Sequence, residues 1–116
     1  MTEREIKFRC WDKIYEKMWY WRIGNQEFDL AKELLNNDSI VMQFTGLKDM
    51  NNIDIYDGDI ITWKEKKTGV VIFNPRKAWY LYKYSYNIFN LVWRKDSKVI
   101  GNRYQNDTLL KLNFII

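Results

Sequence analysis

The chain has 116 residues, of which 47% are hydrophobic and 17% aromatic, so it is expected to fold as one domain and intrinsic disorder is excluded. One cysteine and no histidine exclude an internal disulfide, a zinc site of cysteine and histidine, and a histidine-activated nucleophile. The formal net charge of +4 is unevenly divided: residues 1–61 carry 8 Lys/Arg and 12 Asp/Glu (8 − 12 = −4), whereas residues 62–116 carry 11 and 3 (11 − 3 = +8).

The N-terminal segment has the alternating pattern of a β-hairpin. Apolar residues alternate with others from Ile6 to Trp11, and after a turn near Asp12 the alternation resumes from Lys17 to Ile23. Cys10 falls on the apolar side of the first strand and is interpreted as a small core residue. The hairpin carries Trp11, Trp19 and Trp21. If exposed, these rings would form a self-association surface, but the usual burial of tryptophan favours the core.

A short helix is predicted after the hairpin, which ends at Gly24-Asn25. Glu27 and Asp29 lie where the positive end of the helix dipole would be, and residues 36–38 provide a stop. The residues with helical apolar spacing are Phe28, Ala31, Leu34 and Leu35. This pattern predicts one helix of at most about three turns.

The central stretch, residues 41–61, is predicted to organise the fold. Its first part alternates as a strand with one buried face up to Thr45-Gly46, and a polar loop, residues 48–52, follows. Asp57-Gly58 is a strong turn signal because glycine adopts positive φ without steric cost. The turn leads into the β-branched and aromatic run Ile60–Trp63, which suits a core strand.

The rest of the chain contains further short strand patterns separated by turn signals, among them the single proline, Pro75. The predicted strands are Val70–Phe73, Ala78–Tyr86, Ile88–Trp93 and Lys98–Tyr104. Short strands at this spacing are typical of a small barrel or a sandwich.

Three parts of the chain carry a family resemblance. They are Met42–Asp49 together with Ile55–Ile61, Arg4–Asp12 near the start, and Val99–Asn106 near the end. In order and spacing they resemble the YopX family of bacteriophage and prophage proteins. The sequence departs from the family pattern at three places. Cys10 stands where the family usually has Ala, and Asn52 stands where it usually has Gly. The pair Asp107-Thr108 lacks the family's usual Pro.

The resemblance implies a small β-rich phage protein whose C-terminal part resembles an SH3-like barrel and which self-associates through its N-terminal part. The expected fold class is therefore mainly β: an N-terminal hairpin and one short helix, followed by a small SH3-like β-barrel. Residues 1–116 are expected to form a single domain, in which residues 1–52 are the hairpin and helix subdomain and residues 53–116 the barrel. The resemblance implies no activity and no cofactor.

One acidic cluster, Asp54, Asp57 and Asp59, is a candidate for Mg²⁺ chemistry such as that of a metal-dependent nuclease. Aspartate and glycine are also what a turn at the start of a strand requires, and this second interpretation is preferred. The neighbouring residues 49–53 fail the calcium-loop pattern because Ile53 occupies a ligand position. No metal site and no catalytic residue is predicted, and the chain is not expected to be an enzyme.

The basic C-terminal half is the better functional candidate. Its cations are suited to neutralising phosphates, and the face of a tyrosine-rich strand is suited to stacking on bases, as small barrels do with single strands. The candidate residues are Lys64, Lys66, Lys67, Arg76, Lys77, Tyr80, Tyr82, Lys83, Arg94 and Lys95. The alternative is that these lysines keep hairpin turns soluble and that alternating tyrosines pair across strands.

The sequence thus predicts a non-catalytic binding module that contacts nucleic acid. The rival interpretation is a protein-interaction adaptor or self-assembling homo-oligomer that binds a host or phage protein, because the charge split equally suits head-to-tail assembly. A single cysteine is consistent with the reducing bacterial cytoplasm. The N-terminus has no apolar run, so neither a signal peptide nor a membrane partner is expected.

Overall fold

The computed structural model describes residues 5–63, 67–74, 79–84, 87–90 and 96–109, and within them the chain is mainly β. The first antiparallel sheet has the strand order β3-β2-β1-β4-β5 and contains β1 (Lys7–Asp12), β2 (Lys17–Arg22), β3 (Asn25–Gln26), β4 (Ser39–Lys48) and β5 (Asp54–Tyr56). The second has the order β10-β6-β7-β8-β9 and contains β6 (Asp59–Trp63), β7 (Lys67–Asn74), β8 (Trp79–Tyr84), β9 (Asn87–Asn90) and β10 (Lys98–Asn102). The prediction of a mainly β protein is confirmed.

The predicted N-terminal hairpin is present as β1 and β2, and the two-residue strand β3 extends it. The predicted helix is α1 (Leu30–Leu34), little more than one turn long, with Asp29 as its N-cap. A further helical turn lies at residues 107–109. In the described part of the chain, neither helix is long and apolar enough to span a bilayer.

The first sheet is strongly curved. Its register places Arg9 opposite Tyr20 on β2 and Met42 on β4, and Phe44 opposite Tyr56 on β5. Strands β2 and β5 are three positions apart in the sheet, roughly 14 Å if it were flat. The rings of Tyr20 and Tyr56 are nevertheless only 6.0 Å apart. We call this concave side, which carries Arg9, the inner face.

The outer face of the first sheet carries Cys10, which lies opposite Trp19 on β2 and Val41 on β4. The segment around α1 covers part of it, and the Ser39 hydroxyl donates a hydrogen bond to the Glu33 carboxylate there. Cys10 is 1% exposed, which confirms that it is a core residue.

The main apolar core lies between the two sheets. Ile55 of β5 packs with Ile61, Trp63 and Val71 of the second sheet, and Val99 of β10 lies against this cluster. Because β9 and β10 are the two edges of the second sheet, closing a barrel requires a pairing that is not found among the described residues. The SH3-like barrel and the division between residues 52 and 53 stay predictions.

Candidate functional site

The turn at Asp57-Gly58 joins the two sheets. The Asp57 amide donates to the carbonyl of Gln43 at 3.0 Å in the first sheet, and the Gly58 amide donates to that of Val71 at 2.8 Å in the second. Gly58 has a φ of +89°, and a Cβ at this position would lie 3.1 Å from the Tyr104 ring. Only glycine therefore satisfies both the backbone conformation and the close approach.

An ion pair buried beside this turn links the sheets. The Arg9 guanidinium lies 2.7 Å from the Asp59 carboxylate, and the two side chains are 5% and 2% exposed. The same guanidinium donates to the carbonyl of Asp57 at 3.2 Å and lies 4.8 Å from the centre of the Tyr56 ring. Asp59 also accepts a hydrogen bond from the Tyr56 amide at 2.8 Å. Each charge is thus surrounded by partners, as a buried ion pair requires.

Burial governs the titration of the groups around this pair. It raises the pKa of Asp59 and of Asp57 above their ordinary value, against the lowering effect of the charge on Arg9 and, for Asp57, on Arg103. It also raises the pKa of Tyr56 to about 12. The positive charges of Arg9 and Arg103 therefore offset only part of the cost of burying the two carboxylates.

The three aspartates of the sequence cluster separate in the structure. Asp54 pairs with Lys7 at 2.9 Å and with Lys48 at 3.4 Å, whereas Asp59 pairs with Arg9. In the described ranges, no group of three or more acidic or cysteine side chains has the arrangement of a metal site.

The loop before β5 is also held by an aspartate. The Asp49 carboxylate accepts hydrogen bonds from the amides of Asn51, Ile53 and Val99, at 2.8, 2.9 and 2.9 Å. Asp49 therefore closes the loop and ties it to β10.

Most of the predicted nucleic-acid residues lie outside the described residues: Lys64, Lys66, Arg76, Lys77, Arg94 and Lys95. Lys67 is exposed at the start of β7, opposite Trp63, and Lys98 is exposed at the start of β10, opposite Thr62. These two lysines thus flank the end of β6. The register of β8 pairs Tyr80, Tyr82 and Lys83 with Phe73, Val71 and Val70.

The three tryptophans of the hairpin do not share one surface. The register places Trp11 on the inner face and Trp19 and Trp21 on the outer face, and all three are partly buried. The most exposed apolar side chains are elsewhere. Tyr15 in the turn of the hairpin is 81% exposed and Leu35 after α1 is 86% exposed.

A cleft of about 270 Å³, the helix cleft, lies on the outer face, with Cys10, Trp19 and Phe28 in its lining. Its four carboxylates already accept local hydrogen bonds: Asp12 from the Ile14 amide, Glu27 from the Tyr20 amide, Asp29 from the Lys32 amide and Glu33 from the Ser39 hydroxyl. Burial raises the pKa of the Cys10 thiol and so disfavours the reactive thiolate. Local structure therefore accounts for the polar groups of the helix cleft.

A second cleft, the Tyr20 cleft, lies at one end of the inner face. Its volume is about 280 Å³, and Lys7, Tyr20, Arg22 and Tyr56 are in its lining. Lys7 and Arg22 are direct neighbours across β1 and β2. Tyr20 is 46% exposed, so part of its ring faces the solvent.

Comparison with known proteins identifies the lineage. The family model described as YopX protein matches residues 7–111. The chain belongs to the YopX family. The crystal structure of protein EF1440 from Enterococcus faecalis is similar, with a TM-score of 0.62 and 21% sequence identity, over 90% of this chain and 97% of that one. At this identity the likeness shows a common fold. Curated proteins gave no match.

The structure explains how this YopX chain tolerates its three departures. Cys10, where the resemblance implies Ala, is 1% exposed, so a small apolar side chain is retained at a buried position. Asn52 replaces the usual Gly at a φ of +64°, a conformation that asparagine adopts more readily than most residues. Asp107 begins the helical turn at residues 107–109, a position where proline is also well suited.

Sequence reasoning missed Arg9 and Arg22 in this YopX protein. Alternation along each strand places Lys7 with Arg9 and Tyr20 with Arg22, and that signal was available. The register of β1 against β2, which brings the two sets onto one concave face, depends on the turn and on the curvature of the sheet.

Proposed function

We propose that this YopX protein is a non-catalytic binding module of a phage or prophage, acting in the bacterial cytoplasm and contacting single-stranded nucleic acid through its basic C-terminal half. The C-terminal strands, closing as an SH3-like barrel, would present that half to the strand. The observation that carries the proposal is the charge split, −4 in residues 1–61 against +8 in residues 62–116. A positive surface of this kind attracts phosphates and releases their counterions.

Two features of the structure support the proposal. The exposed lysines Lys67 and Lys98 lie on the two strands that flank β6, near the same end of that strand, so two cations are available at one end of the second sheet. The register pairs them with the consecutive residues Trp63 and Thr62 and therefore places them on opposite faces. Most acidic groups of the described residues belong to residues 5–61, and many of them are engaged by local hydrogen bonds or by ion pairs with cations of that same half. These engaged carboxylates are therefore less available to offset the net positive charge of residues 62–116.

The test is fluorescence anisotropy of labelled single- and double-stranded oligonucleotides at two salt concentrations. The triple variant Lys66→Glu, Lys67→Glu and Lys77→Glu is expected to lose a complex that the wild type forms and that weakens steeply with salt. The matched control replaces three exposed lysines of the first half, Lys13, Lys17 and Lys32, with glutamate. It has the same net charge as the first variant. Equal binding by the wild type and the first variant, or equal loss in both variants, would refute a specific role of the basic half.

The second candidate function is a protein-interaction adaptor that self-associates and binds a host or phage protein. The observation in its favour is the exposure of apolar side chains at the hairpin turn, where Ile14 and Tyr15 are 65% and 81% exposed. Such groups are common in protein interfaces.

A further inference from the structure

We infer that the Tyr20 cleft binds one nucleotide unit, with the base stacked on Tyr20 and the phosphate held by Arg22. The inference rests on the proposed function, because it names a second point at which the same single strand would be held. It concerns a different half of the chain and different residues, so it can fail separately.

The first observation is an uncompensated cation. Lys7 and Arg22 lie directly opposite each other on β1 and β2, an arrangement that is unfavourable for two like charges. Lys7 is neutralised by Glu5 at 2.7 Å and by Asp54 at 2.9 Å. Within the described residues, the Arg22 guanidinium has no ion pair and no hydrogen bond. Arg22 is exposed, so its guanidinium is solvated and available to an anion, and a planar guanidinium is well suited to a phosphate.

The second observation is the aromatic surface beside this cation. Tyr20 and Arg22 are two residues apart on β2 and therefore lie on the same face of the sheet. The edge-to-face contact with Tyr56 fixes the position of the Tyr20 ring, which remains 46% exposed. A fixed and half-exposed ring is a stacking platform for a base, because stacking needs one free face and loses little entropy when the ring is already ordered.

The third observation is the size and polarity of the cleft. A volume of about 280 Å³ is near the lower limit of small-molecule sites, about 300 Å³, which suits a ligand no larger than one nucleotide unit. Asn25, which pairs with Arg22 in the sheet, also lines the cleft, and its amide offers both a donor and an acceptor to the edge of a base. The charge of Asp54 on the opposite side is offset by Lys7 and Lys48.

The test is an NMR titration of the full chain with adenosine 5′-monophosphate, adenosine and inorganic phosphate as separate probes. The wild type is expected to bind the monophosphate more tightly than either part alone. Arg22→Gln should weaken monophosphate binding about tenfold and leave adenosine unaffected, because it removes only the charged contact. Tyr20→Ala should weaken the binding of both adenosine 5′-monophosphate and adenosine about tenfold, because it removes the stacking surface.

Matched controls separate these effects from general changes of charge or surface. Lys32→Gln removes one exposed cation on the outer side of the same sheet, and Met50→Ala removes a 54% exposed apolar side chain from the loop before β5. Both should bind the monophosphate as the wild type does. The inference is overturned if the wild type binds no monophosphate, if Arg22→Gln behaves like Lys32→Gln, or if an acidic peptide binds at Arg22 and nucleotides do not.

The anisotropy experiment distinguishes this failure from failure of the proposed function. If oligonucleotide binding depends on Lys66, Lys67 and Lys77 but not on Tyr20 or Arg22, the proposed function stands and the inference falls. In the opposite case, the monophosphate binds through Tyr20 and Arg22, and the variant of Lys66, Lys67 and Lys77 binds oligonucleotides normally. The Tyr20 cleft is then the contact surface for nucleic acid, and the basic half is not.

Discussion

Arg9 and Asp59 form the most deeply buried ion pair of the described residues, with side chains 5% and 2% exposed. Removing one partner leaves the other charge buried and uncompensated, which costs about 3–5 kcal/mol. We expect Arg9→Met to lower the free energy of unfolding by about that amount in urea denaturation. The double variant Arg9→Met/Asp59→Asn should lose clearly less than the sum of the two single variants, because no charge is then left alone.

Lys48→Met is the matched control for this prediction. Lys48 lies 3.4 Å from Asp54 and is 40% exposed, and such a pair contributes about 0–1 kcal/mol. The control should therefore unfold close to the wild type. If Arg9→Met is as stable as Lys48→Met, the pair does not hold the two sheets together.

The same residues show how far sequence patterns reach at this scale. Alternation along β1 separates Arg9 from Cys10, and the structure places them on opposite faces. In the structure both faces of β1 are covered, and Arg9 and Cys10 are 4% and 1% exposed. The alternating pattern does not indicate that both faces are buried. The burial of Arg9 depends on Asp59, which arrives from a distant part of the chain, and no local pattern encodes that contact.

Among the elements, the Asp57-Gly58 turn gives a prediction for pH. Burial raises the pKa of Asp57 above its ordinary value of 3.8, so on acidification the folded state takes up this proton before the unfolded state does. The contribution of Asp57 to stability therefore rises as the pH falls from neutral toward 3.8. We expect the wild type to gain stability relative to Asp57→Asn over this range, because asparagine suits the turn and does not titrate.

Urea denaturation of both proteins at several pH values measures this difference. Glu5→Gln is a control in which the pH dependence should have the opposite sign. In the wild type, the hydrogen bond between Glu5 and Lys7 lowers the pKa of the Glu5 carboxyl, so the contribution of Glu5 to stability is lost as the pH falls. A gap between the wild type and Asp57→Asn that is constant with pH would show that the Asp57 carboxyl is as well solvated in the folded as in the unfolded state.

The elements themselves were predicted best where a repeating pattern was long enough. The hairpin of β1 and β2 and the pairing of β6 with β7 follow from alternation and from turn residues. Strand β3 has two residues, too few to show a period, and it was missed. The apolar spacing near α1 predicted a helix but not its exposure, since Leu34 and Leu35 are 62% and 86% exposed.

On the scale of the whole molecule, the arrangement of the sheets lay beyond sequence reasoning. The loop after β4 has the same turn chemistry whether the next strand returns to the first sheet or begins the second. In the structure β5 pairs back onto β4, and its Ile55 nevertheless packs into the core of the second sheet. A single short strand thus belongs to one sheet by hydrogen bonding and contributes to the core of the other by packing.

Self-association is a prediction about the whole molecule, and the structure suggests a surface for it other than the three tryptophans. The Lys13 amide donates to the Asp38 carbonyl at 2.9 Å, which brings the hairpin turn with Ile14 and Tyr15 beside the segment that follows Leu35. These exposed apolar side chains therefore lie at one end of the first sheet. We expect light scattering at micromolar protein to give a mass above the 14.3 kDa of one chain.

Tyr15→Ser should reduce that mass toward a single chain, because it removes an 81% exposed ring from the proposed contact. The variant should still fold, since the turn is held by the amides of Ile14 and Tyr15, which donate to the Asp12 carboxylate. Ile23→Ser removes a 76% exposed side chain at the opposite end of β2 and should leave the mass unchanged. A monomeric wild type would contradict self-association itself, whereas equal effects of the two variants would place the contact elsewhere on the hairpin.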